Sequence, residues 1–537
     1  MKTTFRRPAA AGYLGGWLAA AALGAGLLQL QPAHAQLPAP ATVTLTVPAG
    51  LASSPFNTPR SMQVPAGFTI AVYARVPGAR FLAITPDGNL LVSQPGAGKV
   101  ALVRPGSAGG APVITDFVSG LRNPHDMVFH TIGSTTYLYL SESNQINRYV
   151  YHAGDLTGQS RQVIITGLPD ASTPELQGAY AHALKNLALD GNDKLYVSIA
   201  SSCNACLTDT QSDPIRGAIY QYDADGSNRR LFARGLRNAE GLAFIPGTNT
   251  LWVAVNNRDN TPYPFDDGTG KYGQVIPDYV DNHPPDEFTK VTDGANYGWP
   301  FYNPNPDTST GLDNMPFDRD YDWNRDGHVD VSTMTRISKG IQAHSAALGL
   351  TFLQGTRFPA AYNNAAVIAL HGSWNRQTPT GYKVIYFPWD AATQTPGAQA
   401  DLVTGFIDGS GAWGRPVDTA VDPQGRLFIS DDQSSTIYQL SAPAGALATA
   451  GAAAPASLAQ LYPNPTSAGA TTLDLTGLPA GTYRVTLLDL LGRVVQPPAN
   501  CLGGTRALVA ASSLARGTYL VRIQGEQLGQ VLRLVRN

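Results

Sequence analysis

The apolar positions between residues 81 and 430 repeat one pattern along the chain. A short apolar segment is followed by a turn rich in Gly, Asp, Asn and Pro, and then by a strand in which apolar and polar residues alternate, which is typical of a β-hairpin. Five clear copies are FLAITPDGNLLVS (81–93), DMVFHTIGSTTYLYLS (126–141), NLALDGNDKLYVS (186–198), GLAFIPGTNTLWVA (241–254) and DTAVDPQGRLFIS (418–430). The pattern therefore predicts a domain built from repeated hairpins.

A sixth copy is stretched by a longer turn, with GLTF at 349–352 and AAVIALHGSW at 365–374. The copies are spaced on the scale of four-stranded propeller blades, about 40–50 residues each, and one longer gap holds an insertion near 260–335. Six copies predict an all-β fold, a six-bladed β-propeller followed by a small C-terminal β-sandwich. We expect residues 69–75 to pair with residues 435–440 and close the ring, which removes two sheet edges.

Composition divides the 537 residues into five segments. Residues 1–35 have a basic start, an apolar stretch and the cleavage pattern Ala33-His34-Ala35, which predict a secretory signal peptide, with a membrane anchor as the alternative. The other segments are a loose Pro/Ala/Thr-rich lead-in at 36–60, the propeller domain at 61–442, an Ala/Pro linker at 443–458 and a separate small β-sandwich at 459–537.

Charge and cysteine content narrow the function classes. The net charge is −2 and no basic tract is present, which argues against a nucleic-acid partner. Export permits disulfides, and Cys203 and Cys206 in SSCNAC are predicted to form a short one that fixes a loop, with two free thiols as the alternative. Because no second cysteine pair exists, a structural zinc site is disfavoured.

Basic and imidazole side chains stand about five positions before several apolar segments. In a propeller the chain at that register enters the inner strand of each blade, so these residues would meet around the axis at one face. They are Arg122, His182, Arg237, His344 and Arg415. They predict a cup for a flat anionic ligand, because arginine pairs with carboxylates and stacks on conjugated rings; a set of solvated loop residues is the alternative.

Two loops that follow inner hairpins add further candidates. HGSWNR (371–376) supplies Trp374, Asn375 and Arg376 to the expected cofactor site. NNRDN (256–260) can turn backbone carbonyls and the Asp259 carboxylate toward a hard cation such as calcium, which prefers oxygen ligands.

Several of these stretches, read together, resemble one protein family. GLRNPHDMVF, AHALKNLALDGNDKLYVSIASSCNAC, GLRNAEGLAF, ANYGWPF, ALHGSWNR and GRPVDTAV span most of residues 61–442. This segment resembles the soluble quinoprotein sugar dehydrogenases, especially the sorbosone/pyranose dehydrogenase-like branch. The resemblance implies a six-bladed propeller with pyrroloquinoline quinone (PQQ) and Ca²⁺ as cofactors.

The resemblance also implies residue roles. His182 falls where the family places the general base that takes the proton from the anomeric hydroxyl of the sugar as hydride passes to the quinone. It assigns cofactor contacts to Arg237, Asn238, Arg376 and Arg415, with Arg237 close to the reacting oxygens, and calcium-binding carbonyls to Asn257 and Arg258. In glucose-oxidising relatives an acidic residue precedes the base; here Ala181 stands there, so the tuning must come from elsewhere or the activity is weaker.

Other motifs support weaker predictions. His125, Asp126 and His371 are substrate-side candidates, with packed histidines as the alternative for the imidazoles. DWNRDGHVD (322–330) resembles a calcium loop that would use Asp322, Asn324, Asp326 and Asp330, although Thr333 replaces the usual final Glu. This predicts a structural Ca²⁺ site, with an acidic surface insertion as the alternative.

The C-terminal segment begins with LYPNP and continues with alternating strands and repeated Gly-Thr-Tyr. It resembles the sorting domain of the type IX secretion system, which implies outer-membrane secretion machinery as a partner and a secreted or cell-surface location reached through the periplasm. A carbohydrate-binding sandwich is the alternative.

The sequence thus predicts an exported PQQ- and calcium-dependent dehydrogenase that oxidises a sugar (aldose or related) hydroxyl and passes electrons to an external acceptor, since no CxxCH haem motif is present. Two alternatives stay open: a cofactor-free surface propeller that binds glycans or proteins, and a calcium-dependent lactonase in which the metal activates water. The axial arginines favour the dehydrogenase.

Overall fold

The computed structural model describes residues 38–107, 110–443, 459–464, 466, 470–489, 493–525 and 529–536. The predicted signal peptide and the linker from residue 444 onward lie outside the described residues. The chain forms two compact units, Met1–Ala444 and Gly445–Asn537.

Six antiparallel sheets follow one another through the larger unit, and each begins with one copy of the hairpin pattern. Sheets 1 to 3 each have four strands in chain order. Sheet 1 consists of Leu82–Ile84, Leu90–Gln94, Lys99–Arg104 and Val113–Ser119; sheet 2 of Met127–Ile132, Thr135–Ser141, Ile146–Tyr151 and Gln159–Ile165; and sheet 3 of Leu187–Leu189, Lys194–Ile199, Ala218–Asp223 and Arg230–Arg234.

Sheet 5 keeps four strands in chain order, with one small strand pair between its last two strands, whereas sheets 4 and 6 depart from this order. Sheet 4 has a fifth, outermost strand that comes from inside the insertion, and sheet 6 takes its outermost strand from the N-terminal part of the unit. Sheet 4 consists of Ala239–Phe244, Leu251–Val255, Asp286–Lys290, Ile337–Ile341 and Asp313–Met315; sheet 5 of Ala347–Phe352, Ala366–Leu370, Lys383–Phe387 and Ala400–Val403; and sheet 6 of Pro416–Val421, Leu427–Asp431, Thr436–Ser441 and Thr69–Arg75.

The first strands of the six sheets contact one another in a closed cycle, from sheet 1 through sheet 6 and back to sheet 1. A cavity of about 140 Å³ lies between them. It is lined from all six sheets, by Leu82, Met127, Leu187, Leu242, Leu350 and Thr419 among others. The hydrophobic core is correspondingly divided into clusters between consecutive sheets.

The predicted pairing between the two ends of the large unit is confirmed. Thr69–Arg75 pairs antiparallel with Thr436–Ser441, and Ile70 stands opposite Leu440. Ile70 and Leu440 are both buried in the cluster between sheets 5 and 6. The sheet that completes the cycle is therefore made from both ends of the unit.

Serine hydroxyls explain why four of the repeats end in Ser. Each hydroxyl accepts a hydrogen bond from a backbone N–H where the chain enters the first strand of the same sheet. The pairs are Ser93 with Phe81 at 2.9 Å, Ser141 with Asp126 at 2.9 Å, Ser198 with Asn186 at 3.4 Å and Ser430 with Asp418 at 3.0 Å. In these four sheets the serine thus ties the second strand to the start of the first.

The lead-in is more ordered than its composition predicts. Pro40–Thr44 pairs with Ser61–Pro65, and Leu45 and Phe56 are buried in the cluster between sheets 5 and 6. Two apolar side chains in a Pro-rich stretch give no periodic signal, but they fill the gap beside the closing strand.

Short elements complete the larger unit. Its one α-helical turn among the described residues is Pro277–Val280, inside the insertion. Additional strand pairs are Tyr302–Pro304 with Phe317–Arg319, Trp389–Asp390 with Thr395–Pro396, and Ile407–Asp408 with Gly411–Ala412. Short 3₁₀ turns occur at Ala49–Leu51, Pro95–Ala97, Pro174–Leu176, Leu207–Thr210, Val331–Thr333 and Ala360–Tyr362. Within the part of the chain that the structure describes, no helix is long and apolar enough to span a bilayer.

The smaller unit contains two antiparallel sheets. Their strands are Gln460–Tyr462, Ala470–Asp474 and Arg506–Ala510 in one sheet, and Val494–Leu502, Thr482–Leu488, Gly517–Gln524 and Gly529–Arg536 in the other. Leu473 and Val509 from the first sheet share one hydrophobic cluster with Val485 and Val521 from the second.

The closing strand predicts a measurable stability effect. Ile70 is 1% exposed, so we expect Ile70→Ala to lower the free energy of unfolding by about 2–5 kcal/mol through lost burial and a residual cavity. Val113→Ala, at a position 45% exposed on the outer strand of sheet 1, should change it by less than about 0.5 kcal/mol. Urea denaturation of both variants tests this, and equal midpoints would contradict a supporting role for the closing strand.

Candidate functional site

His182 lies on the loop that leads into the first strand of sheet 3, and one face of its ring is fixed by the protein. Its Nδ1 is 2.9 Å from the carbonyl oxygen of Ser201 and 3.0 Å from the Ser201 hydroxyl. A carbonyl can only accept, so Nδ1 holds the ring proton in the neutral imidazole. Nε2 makes no hydrogen bond to any described residue, and its lone pair is free to accept a proton.

Burial keeps this imidazole neutral. Burial, together with the positive charge of Arg237, lowers the pKa of His182 to about 4, against the opposing influence of the Ser201 carbonyl and the carboxylates of Glu240 and Asp259. At neutral pH His182 is therefore an unprotonated base.

Arg237 is the cation that lowers the pKa of His182, and it is itself buried, with 4% of its surface exposed. Its Nε donates to the Asn204 carbonyl at 3.0 Å, its Nη1 to the Asn257 carbonyl at 2.7 Å, and its Nη2 to Asn204 Oδ1 at 3.1 Å. Its own carbonyl accepts from the backbone N–H of Ser201 at 2.8 Å, so the acceptor for His182 is set by the chain at Arg237. Burial lowers the pKa of Arg237 to about 10.

Asp259 connects Arg237 with His344. One carboxylate oxygen is 3.9 Å from Arg237 Nη2, and the other is 3.4 Å from His344 Nδ1. The opposite nitrogen of His344 donates to the carbonyls of Val280 at 2.7 Å and His283 at 3.1 Å. His182, Arg237 and His344, three members of the predicted ring, are thus linked into one network.

A second cluster joins sheets 5 and 6 to sheet 1. His371 Nε2 is 2.8 Å from Asp432, and the other oxygen of Asp432 accepts from Arg80 at 2.7 Å. Arg415, a fourth predicted ring member, donates to the carbonyls of His371 at 2.8 Å and Gly372 at 2.7 Å. Burial raises the pKa of Asp432, but its hydrogen bond with His371 and the charges of His371 and Arg80 lower it to about 2.

The fifth predicted ring member pairs with a carboxylate outside both clusters. Arg122 forms an ion pair with Asp170 at 2.9 Å, and its side chain is 45% exposed. No described contact joins Arg122 to His182, Arg237, His344 or Arg415.

His125 and Glu240 form a buried pair between sheets 2 and 4. His125 Nε2 is 3.1 Å from Glu240, and Asn238 Nδ2 donates to the other oxygen of Glu240 at 3.2 Å. Burial raises the pKa of Glu240, yet the hydrogen bond and charge of His125 with the charge of Arg80 lower it to about 2. Arg80 also lowers the pKa of both His125 and His371, so this cation acts on both clusters.

Asp126 has an inter-sheet contact in the structure. Its two oxygens accept from the backbone N–H groups of Met127 at 2.7 Å and Leu187 at 2.8 Å, which links sheet 2 to sheet 3 beside the axial cavity. Burial raises the pKa of Asp126 to about 7. Its predicted contact with substrate stays a prediction.

The three candidate residues of the HGSWNR loop differ in exposure and in hydrogen bonding. Trp374 is 71% exposed. The side-chain oxygen and nitrogen of Asn375 are both buried without a hydrogen-bond partner among the described residues. Arg376 donates through Nη1 to the carbonyls of Asp281 and Ala343 and through Nε to that of Thr378, which leaves Nη2 without a described partner. The unpartnered amide and guanidinium nitrogen are available to a ligand.

The side chains of Asn257 and Arg258, near the predicted cofactor calcium, are bound to other residues. Arg258 is buried and pairs with Asp320 and, at 3.1 Å, with Asp322. The Asn257 amide binds Pro285 and Glu287, so only its backbone carbonyl remains for a site shared with Arg237. The carbonyls of this loop and the Asp259 carboxylate are the oxygen donors that could hold the ion.

The four residues of the predicted structural calcium loop have separate partners. Asp322 binds Arg258, Asn324 bonds both backbone groups of Val329, Asp326 binds His328 and Asp330 caps Ser332. Among the described residues, no group of three or more His, Cys, Asp or Glu side chains is arranged to hold a metal ion. The calcium loop stays a prediction.

The structure adds four site residues that the sequence did not point out: Arg80, Asn204, Glu240 and Asp432. Arg80 lies two positions before the first strand of sheet 1, so the count of about five positions passes over it and reaches Pro77. Asn204 lies between Cys203 and Cys206, which form the predicted disulfide with Cα atoms 5.7 Å apart. Glu240 and Asp432 lie at an inner-strand start and a turn, positions where sequence alone gives no reason to expect a buried acid.

The residues present suit a flat polycarboxylate in chemical type. Besides Arg376, Arg415 has an Nη1 group without a described partner, and its guanidinium also lies over the Tyr382 ring at 5.6 Å. Arginine forks, a free amide and an unprotonated imidazole would match carboxylates, carbonyl groups and a hydroxyl proton respectively.

Comparison with known proteins gives a family match over most of the chain. The model of the TrAA12-like family matches residues 62–443, and that of a secretion system C-terminal sorting domain matches residues 460–537. An uncharacterized protein of Borreliella burgdorferi is 26% identical over 308 residues, covering 57% of this chain and 70% of that protein. The PQQ-dependent pyranose dehydrogenase of Coprinopsis cinerea is 24% identical over 419 residues, covering 70% of this chain; the chain spans 54% of that enzyme.

Solved structures share the fold of the larger unit. The holo PQQ domain of the Coprinopsis cinerea pyranose dehydrogenase aligns with a TM-score of 0.58 and 19% identity, covering 74% of this chain and 98% of that domain. The calcium structure of the Trichoderma reesei family AA12 enzyme aligns with a TM-score of 0.58 and 20% identity, covering 70% and 96%.

The electrostatic coupling in the site predicts crossed effects of two substitutions. Arg237→Gln removes the charge that helps to lower the pKa of His182, so that pKa should rise toward the ordinary value of about 6.5 while the pKa of His371 stays unchanged. Arg415→Gln removes a charge that lowers the pKa of His371 and should do the reverse. Titration of ¹⁵N-histidine-labelled protein by NMR measures both, and equal responses of the two histidines to both variants would contradict the arrangement.

Proposed function

The chain belongs through residues 62–443 to the TrAA12-like family of PQQ-dependent sugar dehydrogenases, and we propose that it is an exported PQQ- and calcium-dependent oxidoreductase. Its substrate is the hydroxyl of a sugar, an aldose or a related compound, and its electrons pass to an external acceptor. The homology to pyranose dehydrogenase supports the substrate class.

The observation that supports this proposal most directly is the state of His182. Its Nδ1–H is held by the Ser201 carbonyl, and its Nε2 is unprotonated and free of described protein partners. Such an imidazole can take the proton from a sugar hydroxyl at neutral pH. The transfer places a positive charge on a ring whose proton-bearing side already faces a carbonyl, with the Glu240 and Asp259 carboxylates in electrostatic range.

The missing acid before the base has a structural counterpart. In place of an acidic residue at position 181, the Ser201 carbonyl orients the ring and the more distant carboxylates supply negative charge. Arg237 and burial oppose protonation, so His182 is a weak base that is fully available at neutral pH.

Arg376, Arg415 and the Asn375 amide would hold PQQ through its carboxylates and carbonyl groups, with Trp374 beside them. Arg237 and Asn238 would face its reacting end, and the carbonyls at Asn257 and Arg258 with the Asp259 carboxylate would hold Ca²⁺. When bound, PQQ supplies a two-electron acceptor and Ca²⁺ polarises its carbonyl group. The protein groups contribute orientation, positive charge and the proton acceptor.

We infer that the six sheets are the six blades of a propeller, because their first strands contact one another in a closed cycle around an axial cavity. The shared cluster of the smaller unit supports a β-sandwich. We retain the boundaries 1–35, 36–60, 61–442, 443–458 and 459–537 as proposed domains.

The C-terminal type IX sorting domain directs the protein to the cell surface or the extracellular space. An exported location is consistent with a disulfide in the larger unit. We propose the outer-membrane secretion machinery as the partner of this domain.

The function is tested by adding PQQ and Ca²⁺ to the purified full-length chain and screening a panel of sugars by dye reduction. We expect His182→Ala to lower kcat by about 10²–10⁴-fold with PQQ binding retained, because only the proton acceptor is removed. His152→Ala, at a side chain 73% exposed, is the matched control.

No dye reduction with any sugar would contradict the dehydrogenase. Binding of glycans without turnover would favour the cofactor-free surface propeller, and opening of lactones without an electron acceptor would favour the calcium-dependent lactonase.

The sorting domain predicts a separable effect on location. A chain truncated after residue 458 should keep its dye-reducing activity in cell lysates but disappear from the medium and the cell surface, which fractionation and immunoblotting measure. Unchanged export of the truncated chain would show that the domain is not needed for secretion.

A further inference from the structure

Asn204 lies between the two cysteines of the disulfide and directs its polar groups to the site. Its Oδ1 accepts from the Asp259 backbone N–H at 2.8 Å and from Arg237 Nη2 at 3.1 Å. Its Nδ2 donates to the Asp259 carbonyl at 2.8 Å, and its own carbonyl accepts from Arg237 Nε at 3.0 Å. One residue therefore contacts two elements of the proposed site.

The two bonds to Arg237 fix the plane of its guanidinium. Nε and Nη2 lie on the same edge of the group, and both are bound by Asn204, through its carbonyl and its side chain. Nη1 on the other side is bound by the carbonyls of Asn256 and Asn257. A long, flexible arginine side chain held at both edges loses most of its freedom to move away from His182.

The two bonds to Asp259 fix the main chain on both sides of its α-carbon. The side-chain amide of Asn204 donates to the Asp259 carbonyl and accepts from the Asp259 N–H, as a neighbouring strand would. This places the Asp259 carboxylate between Arg237 and His344.

Residues of the insertion bind the loop that carries Asn204. The indole N–H of Trp299 donates to the Asn204 carbonyl at 3.2 Å, and that of Trp323 donates to the Ala205 carbonyl at 2.7 Å. The disulfide between Cys203 and Cys206 brackets both carbonyls. The loop is therefore fixed by its disulfide and by hydrogen bonds from two tryptophans of the insertion.

We propose that Asn204 is a positioning residue that fixes the guanidinium of Arg237 and the main chain at Asp259 within the network that also contains His182 and His344. The proposal deepens the proposed function and rests on it, because it assigns Asn204 no contact with substrate. It explains why a polar residue occupies the middle of the disulfide loop, where a spacer of any type would allow the disulfide to form.

The test compares Asn204→Ala and Asn204→Leu in the full-length chain without added cofactor. If Asn204 positions Arg237, the guanidinium moves away in both variants and the NMR titration midpoint of His182 rises by at least half of the rise seen in Arg237→Gln. Leu approximates the volume of Asn but cannot form hydrogen bonds, so it separates packing from positioning and serves as the second variant if Ala fails to fold.

Ser202→Ala is the matched control in the same loop. The Ser202 hydroxyl donates to the buried Asp209 at 2.6 Å and contacts none of the site residues, so this variant should lower Tm and leave the His182 midpoint unchanged. A wild-type midpoint in a folded Asn204 variant, or a wild-type midpoint restored by Leu alone, would overturn the proposal.

Kinetics give a second readout. In enzyme loaded with PQQ and Ca²⁺ we expect both Asn204 variants to lower kcat by up to about 10²-fold with little change in KM for the sugar, as for a misplaced catalytic group. The titration needs neither cofactor nor sugar. A failed reconstitution therefore overturns the proposed function alone, while an unmoved His182 midpoint overturns the role of Asn204 alone.

Discussion

The antiparallel pairing between Thr69–Arg75 and Thr436–Ser441 is the constraint on which the rest of the larger unit depends. It joins the two ends of the unit within one sheet and completes the cycle of contacts between first strands. The described site residues belong to loops that enter these strands or connect neighbouring ones, so their side chains meet only when the cycle is closed. Free strand edges at that point would also invite pairing with other chains.

Within the closed cycle, burial determines how the charged groups behave. His182 remains neutral because a buried cation is costly and the positive charge of Arg237 disfavours a second one. Glu240 and Asp432 remain ionised in spite of burial because each has a histidine hydrogen bond and the Arg80 charge. Two carboxylates paired with imidazoles and one imidazole without a described partner at Nε2 give these residues a polarity that suits the proposed proton removal beside the proposed anionic cofactor.

The sequence predicted the strands well because hairpins are local. The apolar segment, turn and alternating strand of each repeat lie within a few residues of one another, and every copy became the first two strands of a sheet. The same register found His182, Arg237, His344 and Arg415. It also selected Arg122, which pairs with Asp170 and makes no described contact with the other four, so its place in the ring stays a prediction. The register fixes the backbone position of a residue, whereas the direction of a long side chain depends on the charges around it.

The sequence by itself determined the repeated hairpins, the disulfide between Cys203 and Cys206 and the sorting domain, because each depends on residue type and short spacing. Only the tertiary structure decided which oxygen holds Nδ1 of His182, that Arg80 and Asp432 join the site, and that Asn204 binds Arg237 and Asp259. These contacts join residues that are tens or hundreds of positions apart in the chain. Hydrogen bonds of that kind depend on distances of a few tenths of an ångström, which are set by the packing of whole sheets and are not encoded in any short stretch of sequence.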